Sequence, residues 1–195
     1  MTLGELNALA VPAVSDALAA CCASPHWVEQ MLGARPFASR DAMLRASDDA
    51  WRNMAPGDID AAIAHHPRIG EVPAATGGNS RAAEWSRGEQ SGVANPTIAA
   101  RDGIGNTAAT GASSGAVAVA GGANAVAAAL AQGNQDYEQR FGHRFIVCAS
   151  GLSADAILAQ LHARLANDPR TEQAVTSEEL RKITTLRLDK LLSER

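Results

Sequence analysis

Apolar positions recur at three- and four-residue steps along most of the chain, and polar positions fill the intervals. This is the period of helices with one face turned inward. Val14, Ala17, Leu18, Cys21 and Cys22 mark one such face; Trp27, Met31 and Leu32 mark the next. After a potential N-cap at Ser39, the residues Met43, Leu44, Ala46, Ala50 and Trp51 form a third, and Ile59, Ala62 and Ile63 a fourth, after the Pro56-Gly57-Asp58 break. Thr2 and Glu5 have capping-box spacing for a short first helix. Later in the chain the spacing predicts helices from Asn134 to about Arg140, from Ser153 through Ile157, Leu158, Leu161 and Leu165, and from about Thr171 to the end.

Two stretches break the pattern. Phe145-Ile146-Val147-Cys148-Ala149 is the one β-like apolar run, with no second strand to pair it, so it predicts an extended buried segment whose backbone groups need other partners. From about 95 to 133 the sequence is rich in glycine and alanine. Ala116 to Ala131 has the composition of a weak helix, but the glycines argue against an ordered core element, and the tract reads as a flexible insertion or an interface arm. Residues 1–195 together predict an all-α fold: a single-domain helical bundle with one short extended segment and a Gly/Ala-rich insertion.

Composition narrows the function classes. Aromatic residues are only 4% of the chain and much of the 46% apolar content is alanine, which favours helices over sheets. A formal charge of -4, with no lysine-arginine stripe, argues against nucleic acid and anionic membranes as partners. No stretch has the length of a membrane span, no basic-then-apolar leader opens the sequence, and the three cysteines form no C-x-x-C pair. A reducing, cytoplasmic setting with buried thiols is the expectation.

The candidate chemistry lies in three places. Ala64-His65-His66-Pro67-Arg68-Ile69-Gly70-Glu71 runs a helix into two histidines and stops it at a proline that biases His66 away from helical dihedrals. An imidazole there serves either as a cation at the helix C-terminus or as a general acid or base on a stiff backbone. Ser86, Glu89 and Gln90, at i, i+3 and i+4, project a hydroxyl, a carboxylate and an amide from one face, whether solvated or gripping a polar ligand. Arg187 falls inside the apolar stripe of Leu180, Ile183 and Leu191. Such a guanidinium either meets a carboxylate, carbonyls or an anionic ligand, or runs its stem along Leu191 to the surface. Gly111-Ala112-Ser113-Ser114-Gly115 matches the G-x-S-x-G nucleophile elbow but lacks the strand and alternating chain that motif requires.

The ordered set His66-Pro67-Arg68-Ile69-Gly70-Glu71, Ser86-x-x-Glu89-Gln90, Asn134-x-x-Tyr137-Glu138-x-x-Phe141-Gly142, Phe145 to Ala149 and Leu186-Arg187-Leu188 resembles the OHCU decarboxylase family. The resemblance implies an all-α bundle, usually a homodimer, with no metal or organic cofactor. It also implies a small-molecule substrate, 2-oxo-4-hydroxy-4-carboxy-5-ureidoimidazoline, converted to (S)-allantoin and CO2 in urate breakdown. By motif, His66 becomes the catalytic histidine, with Glu89 and Arg187 beside it in catalysis. Pro67, Ser86, Gln90, Phe145 and Ile146 become substrate-binding, the last two through backbone amides. His66 then either activates the 4-hydroxyl or delivers the proton that sets the stereocentre. His143 reads as a surface-turn histidine or as one reaching the site. Two rival classes are a non-enzymatic helical interaction domain that binds through the Gly/Ala tract, and a metal hydrolase built on His65, His66 and Glu71.

Overall fold

The computed structural model describes residues 1–71, 80–94 and 115–193, which hold ten α-helices and no strand. The first five are α1 (Leu3–Ala8), α2 (Val11–Cys21), α3 (Pro25–Gly33), α4 (Arg40–Arg52) and α5 (Pro56–Ala64). Their starts follow local chemistry. Thr2 and Glu5 exchange backbone-to-side-chain bonds at 3.2 and 2.6 Å, and the hydroxyls of Ser24 and Ser39 accept from Trp27 N–H and Ala42 N–H. Then come α6 (Ser80–Glu89), α7 (Ser91–Ala94), α8 (Gly115–Phe141), α9 (Ala154–Arg164) and α10 (Pro169–Ser193). The all-α expectation holds.

The apolar faces meet in two cores. In the first, α10 lies against α2, α4 and α5, and Leu18, Trp27, Met31, Met43 and Leu188 are inaccessible to solvent. Cys21 and Cys22 belong to it as packing residues. In the second, α8 packs on α9 around Leu130, Tyr137, Ile157 and Leu161.

The segment Phe145–Ala149 is the wall between the two cores. An extended chain alternates its side chains, so Phe145, Val147 and Ala149 enter the second core while Ile146 enters the first and Cys148 packs against it. Its tie to the bundle is a buried ion pair. Arg164 donates to Glu172 through Nε (2.8 Å) and Nη2 (2.6 Å), and through Nη1 to the Ile146 carbonyl at 2.7 Å. Tyr137 also hydrogen-bonds Glu172, so α8, α9 and α10 meet at one carboxylate.

Half of the Gly/Ala tract is more regular than its glycines suggest. α8 begins at Gly115 and continues through the predicted Asn134 helix, with Leu130 only 1% exposed. Glycine has a packing role here: a Cβ on Gly133 would sit 2.5 Å from Leu161 Cδ2, so its absence lets α8 approach α9. Residues 95–114, including Gly111 to Ser114 of the elbow-like motif, lie outside the described residues.

Replacing Glu172 with alanine strands the Arg164 charge in the interior. The expected cost is about 3–5 kcal/mol, read as a drop in the urea midpoint relative to the parent chain.

Candidate active site

His66 follows α5 by one turn residue and is only 8% exposed. Its Nδ1 lies 2.9 Å from the Ala62 carbonyl, one helical turn back. A carbonyl can only accept, so in the neutral ring Nδ1 carries the proton and Nε2 the lone pair. That Nε2 is buried and has no hydrogen-bond partner among the described residues.

The turn after it is held from three sides. Arg144 Nη1 donates to the carbonyls of His66 (2.6 Å) and Ala64 (3.0 Å), satisfying groups that the end of α5 leaves open. Arg68 makes a two-pronged pair with Glu138 of α8 at 2.6 and 2.7 Å, and Asn134 donates to the Ile69 carbonyl at 2.9 Å. Gly70, at φ +86°, makes the left-handed bend that points its N–H at Gln90 Oε1, 2.9 Å away.

Ser86 and Glu89 project from α6 onto Arg187 of α10. Arg187 Nε and Nη2 donate to the two Glu89 oxygens at 3.2 and 2.8 Å, Nη2 also to Ser86 Oγ at 3.0 Å, and Nη1 to the Ala20 carbonyl at 3.4 Å. With Arg187 4% exposed, the structure decides for the paired guanidinium over the snorkelling one. One Nη1 hydrogen of Arg187 and the Gln90 amide nitrogen stay uncommitted among the described residues. Lys190, one turn along α10, adds its Nζ to Glu89 Oε1 at 2.9 Å.

These groups share one narrow cleft. His66 and Pro67 form one side; Ser86, Glu89, Gln90 and Arg187 another; Phe145 and Ile146 begin the third. All eight residues singled out in the sequence thus border the same space. The third side also takes in Val147, Cys148 and Ala149, which the sequence reading left out of the site although they continue the same apolar run, and Ser150 just beyond it. Arg144 and Lys190 were missed as well. Lys190 is three residues from Arg187, and that spacing was the available signal.

Charge in the cleft follows from burial and pairing. Burial alone raises the Glu89 carboxyl, but the bonds and charges of Arg187 and Lys190 outweigh it and hold Glu89 below the usual carboxylate range. Burial, then the nearby Arg187 cation, push His66 down to about 4, against the smaller opposing effects of the Ala62 bond and Glu89. The ring is therefore neutral at pH 7, as a base requires. His65 turns away: it is exposed and bonded to the Ala61 carbonyl, while Glu71, also exposed, bonds Arg68. The described residues bring no three His, Cys, Asp or Glu side chains together in metal-binding range. His143 packs edge-on against Tyr137, with ring centroids 5.5 Å apart, and does not border the cleft.

The family model described as OHCU decarboxylase matches residues 7–103 and 93–189. The chain belongs to the OHCU decarboxylase family. Within that family's reach, it is 30% identical over 175 residues to the uric acid degradation bifunctional protein TTL of Arabidopsis thaliana, over 90% of this chain and 46% of that protein. It is 39% identical over 59 residues to 2-oxo-4-hydroxy-4-carboxy-5-ureidoimidazoline decarboxylase of Amia calva, over 30% of this chain and 34% of that one. The alignments thus span less than half the length of either curated relative. A crystal structure of OHCU decarboxylase in the presence of (S)-allantoin superimposes with TM-score 0.66 at 28% identity, covering 92% of this chain and 99% of that one. A structure of (S)-allantoin synthase shares the fold, with TM-score 0.59 at 14% identity over 98% of this chain and 54% of that one.

The depressed His66 makes stability depend on pH. Above about pH 6.5 both folded and unfolded rings are neutral; as pH falls, the unfolded ring takes a proton that the folded ring refuses until about 4. Stability is therefore full above pH 6.5, declines below it by about 3 kcal/mol, and levels off with respect to this group below its folded pKa. Urea midpoints at several pH values should show that part of the decline in the parent and not in His66→Asn.

Proposed function

We propose that this chain decarboxylates 2-oxo-4-hydroxy-4-carboxy-5-ureidoimidazoline to (S)-allantoin and CO2, without a metal or organic cofactor. The observation that carries the reading is a neutral His66 with an unpartnered, buried Nε2, bordering the same cleft as Arg187, Ser86, Glu89 and Gln90, in a chain of this family. An anionic, hydrogen-bond-rich ring with a ureido arm suits that set of groups. Residues 1–195 act as one domain in this reading, and the family's usual homodimer and a cytoplasmic setting go with it.

The chemistry follows from where electrons must go. When the bond to the carboxylate carbon breaks, its electron pair moves into the adjacent ring C=N, whose nitrogen takes up one proton from solvent. The resulting enol loses its hydroxyl proton to His66 Nε2 as the ring carbonyl forms. His66 then returns that proton to the neighbouring carbon, which becomes the stereocentre. One base thus accounts for both steps that the sequence left open, and the Nδ1–H form held by Ala62 favours taking a proton first.

Arg187, through its uncommitted Nη1 hydrogen, and the amides of the Phe145–Ile146 segment are the donors for developing negative charge. Such donors are most effective when already oriented, and Glu89 and Ser86 hold the guanidinium in place before substrate arrives. Gln90 offers its Nε2 to the ureido carbonyl, because its Oε1 is occupied by Gly70 N–H. Glu89 Oε2 accepts from a ureido N–H. Together they fix which face of the ring meets His66, and with it the hand of the product.

Substrate generated from urate by oxidation and the preceding hydrolysis, followed by circular dichroism of the product, tests the assignment. His66→Ala is expected to lower kcat by about 10²–10⁴-fold while the far-ultraviolet spectrum stays helical. Optically active allantoin formed by that variant at the parent rate removes His66 from the mechanism; a parent chain that never speeds the reaction removes the function.

A further inference from the structure

Among the described residues, three arginines each hold two carboxylates, three other cations hold one, and the ratio is reversed at one place. Arg40 lies between Asp41 and Asp189, Arg68 between Glu71 and Glu138, and Arg181 between Asp48 and Glu178. Each cation there has two carboxylates, as a chain of net charge -4 allows. At the cleft, one carboxylate has two cations: Glu89 Oε1 receives both Arg187 Nε and Lys190 Nζ, and Oε2 receives Arg187 Nη2.

Arg144, bonded to the His66 and Ala64 carbonyls on the opposite wall, adds a cation that does not depend on Lys190, and the remaining charges nearby are matched. Asp189, beside Lys190 in sequence, is engaged by Arg40 Nε and Nη2 at 2.7 Å each. Glu179 binds Lys182 and the Cys148 N–H. His66 is neutral, and burial, then Glu179, keep the Cys148 thiol protonated. Without Lys190, the charged groups bordering the cleft are Glu89 and Arg187, which cancel.

We propose that Lys190 is a positioning residue that makes the substrate site cationic: by sharing Glu89 it leaves the Arg187 guanidinium a net charge with which to hold a ligand carboxylate. The inference rests on the decarboxylase reading for the identity of that carboxylate, and on the geometry alone for its charge. Lys190 does not border the cleft, so it acts through Glu89. Because its side chain is 36% exposed, it can be changed without opening the core.

The test compares the full-length parent with Lys190→Met and Lys190→Arg at ionic strengths of about 0.01 and 0.3 M, between which exposed charges become screened. Lys190→Met should raise KM for the ureidoimidazoline by about 3- to 10-fold at low salt, the range expected for one charge a few ångströms away in a mixed dielectric, and leave kcat within about twofold. Its kcat/KM should also lose most of its salt dependence, and Lys190→Arg should restore both. Calorimetric binding of allantoate, an anion with ureido arms that cannot be decarboxylated at the reacting ring carbon, and of neutral (S)-allantoin separates charge from turnover. The methionine variant should weaken binding of the anion and not of the neutral compound. Unchanged KM, salt dependence and anion binding in Lys190→Met overturn the inference even if the parent is active. An inactive parent whose anion binding still depends on Lys190 overturns the decarboxylase reading and leaves the charge assignment standing.

Discussion

The bond between Glu89 and Arg187 joins residues 98 positions apart and ties α6 to α10 on one side of the cleft. Neither charge is tolerable alone at this depth. Desolvation of a single buried ion costs several kcal/mol, and each is stable because the other is there with Ser86, Ala20 and Lys190 to complete its bonding. The pair therefore does two things with one set of contacts. It closes the bundle on this side, and it presents a guanidinium already stripped of water and fixed in orientation.

A second ion pair, Arg164 with Glu172, performs the matching task on the other wall. It reaches through Arg164 to the Ile146 carbonyl and supports a segment that has no neighbouring strand. Glu179 takes the Cys148 N–H from the opposite direction at 2.8 Å. An isolated extended chain is otherwise a poor structural element, because its backbone groups face no ladder. Charged side chains of two helices supply partners that a neighbouring strand would otherwise provide.

Helices were legible because their signal is local. Capping residues at Thr2, Ser39 and Ser153 and the three-to-four spacing of Met43, Ala50 and Trp51 are properties of neighbours in sequence. The candidate site was legible where a residue contradicted its surroundings: an arginine within an apolar stripe, a histidine stiffened by a proline. The same rule applied to α9 would have marked Arg164, which follows Leu161 by three and is 7% exposed. What could not be read was partnership over distance. Nothing near Lys190 indicates Glu89, 101 residues away, and nothing near Arg144 indicates the His66 carbonyl. The glycines before Asn134 misled for a related reason: Gly133 looks like a break in the helix until Leu161 lies against it.

Arg144 stands immediately before Phe145 and holds the carbonyl of His66. The guanidinium thus spans from one wall of the cleft to the other, alongside the Arg68–Glu138 pair and the Asn134 bond that also hold the turn after His66. Thermal motion that separates the two walls on this side must break a charged contact first, so the gap there is stiffer than the helices alone would make it.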